Sequence, residues 1–131
     1  YVKRQTGGNH IILGFDGRAS SPGLQQAMVA GMLSVGIRIE RIGLCPTPMV
    51  AFALKDRHAN AGLMITGSHN PADYNGFKMT LYSGPVYGDA VQAIGRIART
   101  GDYDIDNRGS LTDIDIQDQY VDRLMRDTLL K

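Results

Sequence analysis

Three short apolar runs, His10–Phe15, Ile37–Leu44 and Ala61–Ile65, alternate with two stretches whose apolar residues recur at helical spacing. That alternation restricts the chain to few folds, because each run reads as a strand and each intervening stretch as a crossover helix. The first run stops at Asp16-Gly17, the ending of a buried strand that enters a turn. Ser20-Ser21-Pro22 then opens a helix, with a serine to cap free amides and Pro22 suited to the first turn. Leu24, Ala27, Met28, Gly31, Met32 and Val35 form its apolar face, and Gly36 ends it in a left-handed conformation. In the second run Ile37, Ile39, Ile42 and Leu44 alternate with Arg38, Glu40 and Arg41, which predicts a strand with one wetter face, near an edge. Thr47 as cap and Pro48 as first residue predict a helix from Met49 to about Arg57. The third run delivers the chain to Ser68.

Phe77–Leu81 alternates again and predicts a fourth strand. Ser83-Gly84-Pro85 reads as a turn. Ala90, Val91, Ile94, Ile97 and Ala98 mark an amphipathic helix that stops near Gly101. Gly101 to Asp115 is polar and linker-like, and Asp115 is placed to cap a last helix from Gln117 to Leu130. The expected fold is therefore α/β: a three-layer domain whose mixed four-stranded sheet, three parallel strands plus one antiparallel, lies between helices. Right-handed crossovers make the first three strands parallel. With strand one between strands two and three, the two helices cover opposite faces and a switch point opens at the carboxyl ends. The fourth strand follows too closely for a crossover and must run antiparallel. Topology thus gathers Arg18, Ser68, His69 and Lys78 at one crevice.

Composition narrows the functional classes. The 131 residues suit one core, with 43% apolar and 21% charged residues in the range of soluble globular chains. Fourteen basic and thirteen acidic residues nearly cancel, so nothing favours nucleic acid as a partner. The single cysteine, Cys45, permits no internal disulfide and fits a reducing, cytoplasmic setting. No apolar run spans a bilayer, so no membrane partner is expected, and the polar start Tyr1–Gly8 has no signal-peptide core. The lack of an initiator Met suggests a fragment.

The chemistry concentrates in Thr66-Gly67-Ser68-His69-Asn70-Pro71-Ala72-Asp73-Tyr74-Asn75-Gly76-Phe77-Lys78, where a hydroxyl, an imidazole, an amide and an ammonium share one loop. Ser68 is either a turn hydroxyl bonding the local backbone or a nucleophile among cationic partners, and spacing leaves both open. His69 is likewise structural or functional, and Lys78 is either a solvated strand residue or a functional cation. Asn70-Pro71 and Asn75-Gly76 are turn dipeptides first. The stretch is neither a Ser-His-Asp triad, lacking a G-x-S-x-G elbow, nor a P-loop. Cations and backbone amides around one oxygen fit a phosphate site better. Asp16 and Asp73 are too few for a self-contained Mg²⁺ site.

The same loop resembles the active-site loop of the α-D-phosphohexomutases. Its Thr-Gly-Ser-His-Asn-Pro form is similar to the bacterial phosphomannomutase/phosphoglucomutase branch, with Gly67 where phosphoglucosamine mutases usually carry alanine. Gly14–Pro22 resembles the family's Asp-Gly-Arg-x-Ser turn, and Gly43–Pro48 its Gly-x-x-Pro-Thr-Pro segment. The similarity covers about residues 10 to 130.

The resemblance implies that Ser68 carries a phosphoryl group, gives it to a hexose monophosphate and recovers the other phosphoryl group from a hexose 1,6-bisphosphate, which is both intermediate and activator. It implies His69 and Lys78 as catalytic partners, Arg18 and Asn70 as substrate or phosphate contacts, and Mg²⁺ bound to Ser68 through its phosphate. The implied substrates are mannose and glucose phosphates. The family's Asp-Gly-Asp-Gly-Asp metal loop, its leading Tyr-Asp-x-Arg-Gly stretch, the helix before strand one and its later domains are not in this sequence. Most Mg²⁺ ligands are thus expected in a second domain. Residues 1–115 are expected to form the phosphoserine domain, and 116–131 a helix leading to the remaining domains of a parent chain. Alone, the chain is expected to lack mutase activity. Two other readings stand beside this one: a non-catalytic phosphosugar- or phosphate-binding module, and an interaction domain regulated by phosphorylation at Ser68.

Overall fold

The computed structural model describes residues 1–128. The elements run α1 (Val2–Thr6), β1 (His10–Phe15), α2 (Ser21–Ser34), β2 (Arg38–Leu44), α3 (Thr47–Asp56), β3 (Ala61–Ile65), β4 (Phe77–Leu81), β5 (Gly84–Pro85), α4 (Asp89–Thr100), β6 (Ser110–Asp113) and α5 (Gln117–Asp127). Leu129 and Leu130, expected at the end of the last helix, lie outside the described residues.

β1 occupies the centre because it is apolar toward both faces. Ile11 and Leu13 point into a core with Ile39, Leu63, Ile65 and Met32 of α2. Ile12 points the other way, into a core with Met64 and with Val50, Ala53 and Leu54 of α3. This two-residue period is the strand's own. β1 pairs in parallel with β2 on one side and with β3 on the other. α2 and α3 therefore cover opposite faces, as the crossover rule requires. The backbone at Gly62 lets α3 approach closely, since a Cβ there would lie 2.9 Å from Val50 Cγ1.

The sheet has six strands, in the order β5-β4-β3-β1-β2-β6, which corrects the expected four. β4 is antiparallel to β3, as expected. The two additional strands had no burial signal to announce them. β5 is two residues long and pairs with β4 where a plain turn was expected. β6 is exposed along its whole length and lies inside the stretch that reads as a linker. What holds β6 is backbone pairing to β2 and a two-pronged ion pair from Arg41 to Asp113, at 2.5 and 2.8 Å. β2 is consequently an interior strand. Its alternation slips at Ile42 because the β1 pairing jumps from Arg41 to Gly43, leaving Ile42 as an extra residue.

A short helix, α1, does precede β1, contrary to the expectation from the sequence, and it buries Val2. Capping also differs. Ser20 makes no side-chain capping bond to α2, and Thr47 is the first residue of α3, with Pro46 before it. At α5, Ile116 holds the cap position while the Asp115 carboxylate accepts a bond from the Gln117 amide at 2.9 Å. α4 buries none of its residues completely. A cleft lined by Met28, Met32, Met79, Ile94 and Ile97 runs beneath it, and no residue of the 66–76 loop takes part. No helix among the described residues is long and apolar enough to cross a membrane.

Candidate active site

The register of β1 and β3 sets Phe15 beside Ile65, so both strands end together. The next residues stay joined: the Asp16 amide donates to the Ile65 carbonyl at 3.0 Å. The chain then leaves β3 through Thr66 and returns in β4, where Phe77 pairs with Ile65 and Lys78 with Met64. A bond from the Thr66 amide to the Gly76 carbonyl, 2.9 Å, closes the base of this loop. A parallel pair and an antiparallel return thus bring the residues after β1 and β3 to one edge with the start of β4.

Ser68 is held in an unusual way. Its φ is 56°, in the left-handed region that residues with a Cβ seldom occupy. Its amide donates to the Thr66 hydroxyl at 2.9 Å, and its own hydroxyl is exposed and accepts a bond from Lys78 Nζ at 3.1 Å. The structure therefore brings together Ser68 and Lys78, expected as partners from the sequence. His69 lies exposed next to Ser68. Asn70 is also exposed, and its side-chain amide and its backbone amide both donate to the Gly67 carbonyl, at 2.9 and 3.0 Å. It closes the turn around Ser68.

Arg18 directs its guanidinium at the chain itself. Its Nε donates to Asp16 Oδ2 at 3.0 Å. One terminal nitrogen donates to the carbonyls of Pro71 and Tyr74, at 2.5 and 2.8 Å, and the other to those of Ser68 and Asn70, at 3.0 and 2.9 Å. A guanidinium has five N–H donors, and these partners occupy all of them. In this geometry all five donors are directed at the chain itself, and none faces the Ser68 hydroxyl. Gly67 makes room for it, since a Cβ there would lie 2.4 Å from Arg18 Cζ.

Asp16 anchors this arrangement. Its Oδ1 accepts from the Arg18 amide at 3.2 Å and from the Ser21 hydroxyl at 2.8 Å. Burial pushes the carboxyl up, but hydrogen bonds from Thr66, Ser21 and Arg18 outweigh that and leave it at about 2. Asn75 ties the far side of the loop to α2, donating to the Ser20 and Ser21 hydroxyls at 2.9 Å each. Sequence reasoning passed over Asp16 and Asn75 as site residues. An acid two positions before an arginine, at a strand end, was the available signal for the first. Asn75 carried only the signal of a turn. Among the described residues no cluster of three His, Cys, Asp or Glu side chains is placed to hold a metal.

Residues 1–104 match the family described as "Phosphoglucomutase/phosphomannomutase, alpha/beta/alpha domain I". A phosphoglucomutase of Neisseria gonorrhoeae is 41% identical over 122 residues, covering 92% of this chain and 26% of that protein. A probable phosphoglucosamine mutase of Thermococcus gammatolerans is 38% identical, covering 88% of this chain and 26% of its own length. The crystal structure of a phosphoglucomutase/phosphomannomutase family protein from Burkholderia thailandensis superposes with a TM-score of 0.87 at 36% identity, over 96% of this chain and 29% of that one. The chain spans about a quarter of the length of the curated relatives it matches. By sequence, fold and extent of the match, it belongs to the phosphoglucomutase/phosphomannomutase family and corresponds to that family's first domain.

Proposed function

We propose that this chain is the phosphoserine-bearing part of a phosphohexomutase that interconverts hexose 6-phosphate and hexose 1-phosphate. The observation that carries the proposal is the 3.1 Å contact between Lys78 Nζ and the exposed Ser68 Oγ. In the proposed cycle a hydroxyl oxygen of the hexose monophosphate attacks phosphorus on phosphorylated Ser68. The P–Oγ bond breaks, the hexose hydroxyl loses its proton and Ser68 Oγ gains one. The bisphosphate reorients, Ser68 Oγ attacks its other phosphoryl group, and the protons move in reverse. Lys78 compensates charge on Oγ as that bond breaks and forms, and it is placed to hold a proton there. His69, exposed beside Ser68, is assigned to the substrate side of the same reaction. Asn70 supports the turn.

Mg²⁺ fits this reading with one ligand from the chain, an oxygen of phosphorylated Ser68. It would supply charge neutralisation at the transferring group. The other ligands, and the residues that read the sugar, belong to further domains of a parent chain, with residues 1–115 as the phosphoserine domain and 116–131 as the passage out of it. The exposed Val121, Leu124 and Met125 give α5 an apolar stripe suited to continuing contact. Mannose and glucose phosphates are the proposed substrates, and a reducing cytoplasmic setting is proposed from the lone thiol.

The test is intact-mass analysis with site mapping of the complete protein, after treatment with hexose 1,6-bisphosphate and again after adding hexose monophosphate. One phosphate on Ser68 that substrate removes supports the mutase. A Ser68 that never accepts phosphate sinks the proposal and favours a binding module.

A further inference from the structure

The Arg18 guanidinium lies in a loop that wraps around it. Four carbonyls, those of Ser68, Asn70, Pro71 and Tyr74, converge on one side chain more than fifty residues away in sequence except for the nearest, at fifty. Such convergence is costly without a cation, because like-oriented carbonyl dipoles repel one another. The Asp16 carboxylate balances the charge at 3.0 Å, and the Arg18 side chain is only 13% exposed. Two further features belong to the same construction. Gly67 lacks the Cβ that would collide with the guanidinium. Ser68, whose carbonyl accepts from Arg18 at 3.0 Å, takes a left-handed φ of 56°.

We propose that Arg18, held by Asp16, is a positioning residue that fixes the direction of Ser68 Oγ toward Lys78 by gathering the four loop carbonyls, and that it does not bind the substrate's phosphate. This inference rests on the phosphoserine reading of the same loop. Its physical content is that shape matters here as much as charge. A lysine would keep the charge but offers three donors on a flexible stem, and cannot reproduce a planar fork that reaches carbonyls on two sides. A phosphate ligand, by contrast, would keep the point-charge part of its attraction to a lysine.

The test compares the complete protein that carries this domain with its Arg18→Lys and Arg18→Gln variants. Hydrogen–deuterium exchange is expected to quicken about tenfold or more across residues 66–76 in both variants, while β1 and β3 keep wild-type protection and serve as the folding control. Phosphoryl transfer from hexose 1,6-bisphosphate to Ser68 is expected to slow about 10²-fold in both, with KM for hexose 1-phosphate within about twofold of wild type. Wild-type transfer in Arg18→Lys would overturn the proposal. So would unchanged loop exchange, or a KM raised about tenfold at unaltered kcat. If Arg18→Gln loses protection in the sheet as well, Asp16→Asn decides: loosening confined to the loop supports the clamp, and unaltered loop exchange overturns it. If wild-type Ser68 takes no phosphate, the mutase reading fails by itself, and the exchange comparison still decides whether Arg18 organises the loop.

Discussion

Lys78 Nζ donates to Ser68 Oγ at 3.1 Å, linking the start of β4 to the loop that leaves β3. The contact follows from the antiparallel return of the chain, which pairs Lys78 with Met64 near the end of β3. In the complete mutase, Lys78→Ala is expected to lower kcat by about 10²–10⁴-fold while KM changes far less, because the ammonium matters most as charge develops on Oγ. Steady-state kinetics measures both. A large rise in KM with kcat preserved would move Lys78 to ground-state binding.

Ser68 combines a functional hydroxyl with a strained backbone at φ 56°. Activity and stability should therefore part company in a substitution series. Ser68→Gly and Ser68→Ala both remove the phosphoryl acceptor and are expected to abolish phosphate incorporation by mass. Ser68→Gly relieves the left-handed strain and should be at least as stable as wild type, whereas Ser68→Val should lose about 1–2 kcal/mol. Urea titrations give the order, and a valine variant as stable as glycine would contradict the strain.

Gly67 sits against the Arg18 guanidinium, 2.4 Å from where a Cβ would be. Gly67→Ala must displace that side chain or the loop, at a cost of about 1–3 kcal/mol. Thermal unfolding is the readout, and a variant as stable as wild type would show that the loop adjusts freely.

The Asp16 carboxyl ionises at about 2 in the fold against an ordinary value of 3.8. A lowered folded-state value means that this carboxylate stabilises the protein fully above pH 3.8 and loses that contribution as pH falls through about 2. The stability gap between wild type and Asp16→Asn should accordingly be constant near neutrality and narrow between those two values. A gap that does not change with pH in acid titrations would show that ionisation of Asp16 is unimportant to the loop.

The fold was most legible where burial and period agree. Ala61–Ile65 and Phe77–Leu81 emerge with the expected bounds, because every residue of β3 is buried and the residue types of β4 alternate along a strand paired to it. β6 was illegible for the opposite reason, since four exposed residues gain their place from pairing with β2 rather than from an apolar pattern. At the site, the nearness of Ser68 to Lys78 could be read from topology. The task of Arg18 could not, because it depends on where four distant carbonyls point.

What the sequence determined by itself is the alternation of strands and crossovers, and with it the end of the sheet at which Asp16, Ser68 and Lys78 meet. Chain handedness and strand period act locally and leave few alternatives. What only the tertiary structure decided is which polar groups satisfy one another once they meet. Arg18 could have faced solvent, a ligand or the chain. It faces the chain because the loop presents four carbonyls and the fold sets Asp16 beside them. Such hydrogen-bond partners are chosen by three-dimensional proximity, which residue spacing along the chain does not encode.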